Sequence, residues 1–167
     1  MAKKIFFLMN RCLGCEECIE ACKKEHSWLS FGHVEWIKGI YPIQVRCAHC
    51  DDPACLKSCP VEGAITKRED GVVLINQEKC IGCRNCEFAC PFGIPQYIEP
   101  LRKVFKCDMC IHRIDEGNLP ACVENCPTQT LLLGDDTEVR ISTKPKAIKR
   151  SIDSKTYLDD VTIAQEG

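Results

Sequence analysis

Apolar residues in this chain come in short runs broken by polar and turn-forming positions. None approaches the ~18 continuous apolar residues of a membrane span. Ile5-Phe6-Phe7-Leu8-Met9 follows two lysines and predicts a strand over 3–9 that leads into the first cysteine. Residues 16–25 have helix-compatible composition, and a helix there carries Cys18 and Cys22 on one face. Asp52 followed by Pro53 predicts the N-cap and first position of a short helix bearing Cys55 and Cys59. Ala64-Ile65-Thr66-Lys67 and Val72-Val73-Leu74-Ile75 flank Arg68-Glu69-Asp70-Gly71, the pattern of a β-hairpin. A rigid turn over 92–95 precedes two further strands, 96–98 and 103–105. A short helix and a loop over 116–120 follow, then a strand over 130–133. Residues 26–46 hold His26, Trp28, Phe31, His33, Trp36 and Tyr41. They predict an inserted loop whose aromatics form a local core, in preference to a docking surface, with both histidines structural. Residues 135–167 are polar and charged, and predict an extended arm, or a short strand and helix, that orders on a partner. Small strands mixed with short helices make the expected fold class α+β.

Composition changes this picture in one respect. Of 167 residues, 16 are cysteine, a density that marks either a secreted disulfide scaffold or a metal protein. The apolar run at 5–9 is too short for a secretory signal and no twin arginine precedes it, so a cytoplasmic protein with reduced, metal-binding thiols is expected. The formal net charge is −2 with thiols neutral. Metal-bound thiolates and their iron cores take this to about −10. That charge argues against nucleic acid and suits docking to another protein.

The cysteines fall into four groups of four with none left over. Cys80, Cys83, Cys86 and Cys90-Pro91 have the C-x2-C-x2-C-x3-C-P spacing of bacterial ferredoxins, in which the fourth thiolate serves a second cluster. Cys12, Cys15, Cys18 and Cys22 repeat the spacing, with Gly14 in register with Gly82. A glycine there permits positive φ and exposes backbone N–H groups to sulfur. Cys47, Cys50, Cys55 and Cys59-Pro60 form an expanded version enclosing His49, which is expected to hydrogen-bond beside the thiols. Cys107, Cys110, Cys122 and Cys126-Pro127 form the last. Zinc is the competing reading, since all-thiolate zinc sites also use C-x2-C pairs. Three cysteines within one short loop, and three groups ending in Cys-Pro, favour iron–sulfur clusters instead. No position has a missing thiolate, a Gly-rich nucleotide loop or a nucleophile–base pair, so the expected role is electron transfer and not catalysis. Basic residues beside ligands (Arg11, Lys23, Arg46, Lys57, Lys79, Arg84, Lys106) can raise cluster potentials, although most are expected to be solvated.

Five stretches together resemble the four-cluster iron–sulfur subunits of molybdenum and tungsten pterin oxidoreductases, the dimethyl sulfoxide reductase-type beta subunits. They are Cys-Ala-His-Cys-Asp-Asp-Pro-Ala-Cys at 47–55, Cys-Ile-Gly-Cys-Arg-Asn-Cys at 80–86, Cys-Pro-Phe-Gly-Ile-Pro at 90–95, Lys-Cys-Asp-Met-Cys at 106–110 and Pro-Ala-Cys-Val-Glu-Asn-Cys-Pro-Thr at 120–128. The resemblance covers residues 5–134. It implies two ferredoxin-like units, one inserted in the other: an outer unit of 1–46 and 99–134, an inner unit of 47–98, and a C-terminal extension of 135–167. Exchange of the fourth thiolate then implies four [4Fe–4S] clusters. Their ligands are Cys12, Cys15, Cys18 and Cys126; Cys22, Cys107, Cys110 and Cys122; Cys47, Cys50, Cys55 and Cys90; and Cys59, Cys80, Cys83 and Cys86. The implied partner is a catalytic large subunit, foremost a tungsten or molybdenum enzyme acting on formate or an aldehyde. The other end of the relay implies ferredoxin or a flavin- or NAD-linked subunit. A carbon monoxide dehydrogenase or hydrogenase partner is the alternative, and a zinc-holding structural module is the alternative of another class.

Overall fold

Among the described residues there are four small two-stranded sheets, three of which carry the chain from one thiol group to the next. The structure is a computed structural model and describes residues 3–135. Strand β1 (Lys4–Phe7) pairs with β8 (Leu131–Gly134), so the two ends of the described chain meet in one sheet. Between them lie three antiparallel hairpins: β2 (Gly32–Ile37) with β3 (Tyr41–Arg46), β4 (Ile65–Lys67) with β5 (Val73–Ile75), and β6 (Gln96–Ile98) with β7 (Lys103–Phe105). The longest helix among the described residues is α1 (Glu17–Glu25). The others, α2 (Ala54–Lys57), α3 (Asn85–Ala89), α4 (Ile111–Asp115) and α5 (Ala121–Glu124), are one turn or little more. The described residues up to Leu133 form one compact unit.

Strand β5 organises the core. Successive strand side chains point to opposite faces, and here the two faces meet different clusters. Val72 and Leu74 pack with Ile5, Met109, Val123 and Leu131. Val73 and Ile75 pack with Ile65, Cys86 and Val104. A third, smaller cluster of Ala21, Cys110 and Ala121 lies where α1 meets α5.

Two local expectations require correction. Residues 26–31 are a loop, but 32–46 are not, because β2 and β3 run in register from Gly32↔Arg46 to Ile37↔Tyr41. Val34, Ile43 and Val45 favour strand, and Lys38 and Gly39 turn the chain at positive φ. Only Phe31 of the aromatics is core: it is buried, stacked on Phe105 at 6.3 Å and near His26 at 5.0 Å. Trp28, Trp36 and Tyr41 are exposed. The second correction concerns α2. Pro53, not Asp52, is its cap, and its carbonyl accepts the N–H of Leu56 at 3.1 Å. Asp52 instead pairs with Lys57 at 2.6 Å, and Cys59 lies beyond the helix end. The expected arm over 135–167 lies, apart from Asp135, outside the described residues.

Candidate metal centres

Each thiol group is built by a short helix and the loop before it. Residues in the left-handed region, Glu16 (φ 61°), Arg84 (φ 67°) and Cys110 (φ 51°), precede α1, α3 and α4 and turn the loop sharply into the helix. Gly14 (φ 69°) and Gly82 (φ 70°) supply the second tight point in their loops. A Cβ on Gly14 would strike the Trp36 ring, and one on Gly82 would strike the Arg102 carbonyl oxygen. The hairpins β2–β3 and β6–β7 are therefore packed against the two cysteine loops.

Three cavities each gather three thiols from one motif and one from another. The first is lined by Cys12, Cys15, Cys18 and Cys126, under Phe7 and Val34. The second is lined by Cys47, Cys50, Cys55 and Cys90, with His49, Val73 and Lys106. The third is lined by Cys59, Cys80, Cys83 and Cys86, with Ile65 and Val104. The remaining thiols, of Cys22, Cys107, Cys110 and Cys122, meet where α1 packs on α5. Cys107 also opens onto a cleft of about 500 Å³ walled by Phe31, Phe105 and Lys106.

The electrostatics of these groups disfavour free thiolates. Burial pushes the thiols of Cys18 and Cys110 up to about 12, and those of Cys86 and Cys122 up to about 11. Cys107 is raised further, again by burial first. Neighbouring thiols add to the rise: Cys122 and Cys126 at Cys18, and Cys22 at Cys122. At Cys126 burial is outweighed by hydrogen bonds from Leu131, Thr128 and Thr130, and the thiol is lowered. Four thiolates do not persist together in such sites unless a cation replaces their protons.

Further features fit an iron–sulfur cluster. Backbone N–H groups point at sulfur: Thr130 to Cys126 Sγ at 3.3 Å, Met109 to Cys107 Sγ at 3.4 Å and Phe31 to Cys22 Sγ at 3.5 Å. Such donors tune bound clusters. His49 is 2% exposed, and its Nδ1 accepts the Val73 N–H at 3.0 Å. Burial, with Lys106 and Arg46 nearby, drives its pKa down to about 3, so the ring is neutral and carries its proton on Nε2. Among the described residues that Nε2 has no hydrogen-bond partner, and the ring lines the Cys47 cavity.

Of the seven cations beside ligands, Arg11 is half-buried and the other six separate into two kinds. Lys23, Lys57 and Arg84 pair at the surface with Glu20, Asp52 and Glu87, and Lys79 is exposed. Lys106 is 5% exposed and donates to Cys47 Sγ at 3.7 Å, to Cys107 O at 3.1 Å and to Val73 O. Arg46 reaches Gln44 Oε1 at 3.0 Å, Cys47 O at 3.3 Å and Ile5 O. Burial lowers its pKa, against the pull of the Cys107, Cys122, Cys47 and Cys18 thiols. Sequence reasoning missed one contact. His26 Nε2 lies 3.5 Å from both Cys110 Sγ and Asp108 Oδ1. His26 and Cys110 are 84 positions apart, and no spacing in the sequence links them.

Comparison with known proteins agrees with this chemistry. The family described as "4Fe-4S dicluster domain" matches residues 40–136. The chain is 41% identical over 154 residues to the B subunit of the anaerobic dimethyl sulfoxide reductase of Escherichia coli (strain K12), covering 81% of this chain and 75% of that subunit. It is 43% identical over 161 residues to the formate dehydrogenase iron-sulfur subunit of Haemophilus influenzae, covering 80% of this chain and 51% of that one. It is 32% identical over 164 residues to the iron-sulfur subunit of the nitrate-inducible formate dehydrogenase of E. coli, covering 78% and 53%. Among the described residues no helix is long and apolar enough to cross a membrane. With its paired thiol motifs and this degree of identity, the chain belongs to the dimethyl sulfoxide reductase-type iron–sulfur subunits.

Proposed function

We propose that the chain holds four [4Fe–4S] clusters and relays single electrons between a catalytic large subunit and a second redox protein. The ligand sets are Cys12, Cys15, Cys18 and Cys126; Cys22, Cys107, Cys110 and Cys122; Cys47, Cys50, Cys55 and Cys90; and Cys59, Cys80, Cys83 and Cys86. The observation that carries this reading is the cross-motif lining of the cavities, in which the last thiol of one motif joins the first three of another. When bound, each cluster supplies a one-electron couple. The protein excludes water, aims N–H donors at sulfur and leaves no iron open to substrate. Catalysis therefore belongs to the partner.

The proposed partner is a molybdenum or tungsten pterin enzyme acting on formate or an aldehyde. The other terminus is ferredoxin or a flavin- or NAD-linked subunit. The arrangement is an inner ferredoxin-like unit, 47–98, within an outer one of 1–46 and 99–134. Its dense reduced thiols support a cytoplasmic location. Iron and acid-labile sulfide are assayed in protein purified without oxygen, together with EPR after reduction. About sixteen irons per chain and four reducible centres are expected. Colourless protein carrying stoichiometric zinc refutes the reading. A large subunit that co-purifies and reduces the clusters with its own substrate names the reaction.

A further inference from the structure

Lys106 and Arg46 stand apart from every other cation near a ligand. Lys106 is buried, and its ammonium is held by one thiol sulfur and two carbonyl oxygens, all fixed acceptors. The Arg46 guanidinium is held by an amide and two carbonyl oxygens. Neither forms an ion pair with a carboxylate among the described residues. A buried cation without a countercharge is costly, so its anionic partner must come from elsewhere. Lys106 donates to the Cys47 thiol and to the backbone carbonyl of Cys107, and Arg46 neighbours the thiols of Cys107, Cys122, Cys47 and Cys18. Both cations therefore stand at the junction between the inner thiol groups and the outer ones.

We propose that Lys106 and Arg46 are positioning residues that form a fixed cationic junction between the inner and outer cluster pairs, raising the potentials of the clusters that flank it. The inference rests on the four-cluster reading above. In the one-electron couple a single electron enters and no proton or bond is exchanged, so the reduced form is one charge more negative. A fixed positive charge favours that form. Water screens the buried Lys106 and the half-buried Arg46 less than it screens the exposed Lys57 or Arg84.

The test is a potentiometric EPR titration of the iron-replete protein with Lys106→Gln, Lys106→Arg, Arg46→Gln and Lys57→Gln, iron content being measured in each. Lys106→Gln is expected to retain its iron and to lower the midpoint of at least one component. The expected change is tenfold or more in the reduction equilibrium, ~59 mV for a one-electron couple. Lys106→Arg keeps the charge and restores the midpoint, and Lys57→Gln moves none. Unchanged midpoints in iron-replete Lys106→Gln overturn the proposal, as does a Lys106→Arg midpoint as low as that of Lys106→Gln. If Lys106→Gln does not load iron, Arg46→Gln decides: a lowered midpoint supports the junction and an unchanged one overturns it. Wild-type protein lacking iron overturns the four-cluster reading itself, a result distinct from unchanged potentials in iron-replete variants.

Discussion

Replacing Gly82 with alanine separates two costs that glycine normally hides together. Gly82 has φ +70°, and a left-handed alanine costs about 1–2 kcal/mol. Its new Cβ also meets the Arg102 carbonyl oxygen, a backbone atom in the turn joining β6 to β7. A backbone atom cannot swing aside as the tip of a side chain can. Relieving the overlap displaces either the cysteine loop or the turn, at a further ~1–3 kcal/mol. Gly93 is the internal control, with φ +60° and nothing within 4 Å of an added Cβ. Gly93→Ala should cost only the shared backbone strain, about 1–2 kcal/mol, and leave iron content unchanged. Gly82→Ala should cost about 2–5 kcal/mol in total and lose iron from the site lined by Cys80, Cys83 and Cys86. The assay is the bleaching temperature of the cluster absorbance, together with iron per chain. Equal losses in the two variants refute the claim that the β6–β7 turn is packed on the loop.

Three further outcomes follow from the packing and the thiol chemistry. Val72→Ala empties a fully buried position shared with Ile5, Met109 and Leu131, and should lower stability by about 2 kcal/mol; chemical denaturation of the iron-replete protein measures it. Trp36→Ala uncovers the Gly14 loop and should speed oxidative loss of iron from the Cys12–Cys18 site, with the Cys80–Cys86 signal unchanged on exposure to air. In chelator-treated protein that keeps its circular dichroism, iodoacetamide at pH 8 should modify Cys126 before Cys18. The first thiol is lowered and the second raised to about 12, so the reactive thiolate predominates at Cys126; equal rates by mass spectrometry contradict this.

Much of the fold was legible where the local signal and the tertiary outcome agree. The hairpin of 64–75 has its apolar strands and its glycine turn adjacent in sequence, and β4 and β5 form there. The strands at 96–98 and 103–105 are likewise local and pair with each other. The hairpin of 32–46 was obscured because Pro42 interrupts the second strand and the tryptophans read as core. Trp28, at 81% exposed, packs no core. The loop-to-helix turns were illegible for another reason. Glu16, Arg84 and Cys110 take left-handed φ, a conformation for which their side chains give no signal. The cysteines announced the chemistry and their grouping by motif, whereas the choice of fourth thiol depends on contacts between distant residues. Lys106 and Arg46 were visible as cations beside ligands, but only the folded chain shows Lys106 buried and both held by neutral acceptors, whereas Lys23, Lys57 and Arg84 pair with carboxylates.

The cysteines are also structural material. Cys86 and Cys110 are buried members of apolar clusters, and Cys18, Cys122 and Cys126 pack against the core built on Val72. Cys55, Cys59 and Cys80 pack against the core built on Val73. A compact unit of this size, with no sheet wider than two strands among the described residues, has little apolar area to bury. On the proposed four-cluster reading, ligand sulfurs and the group they hold complete the cores that the side chains begin. Metal binding is in this way coupled to folding, and the segment from Val72 to Ile75 links the two halves. Its odd and even residues face different cores, so one short segment walls both sets of thiols.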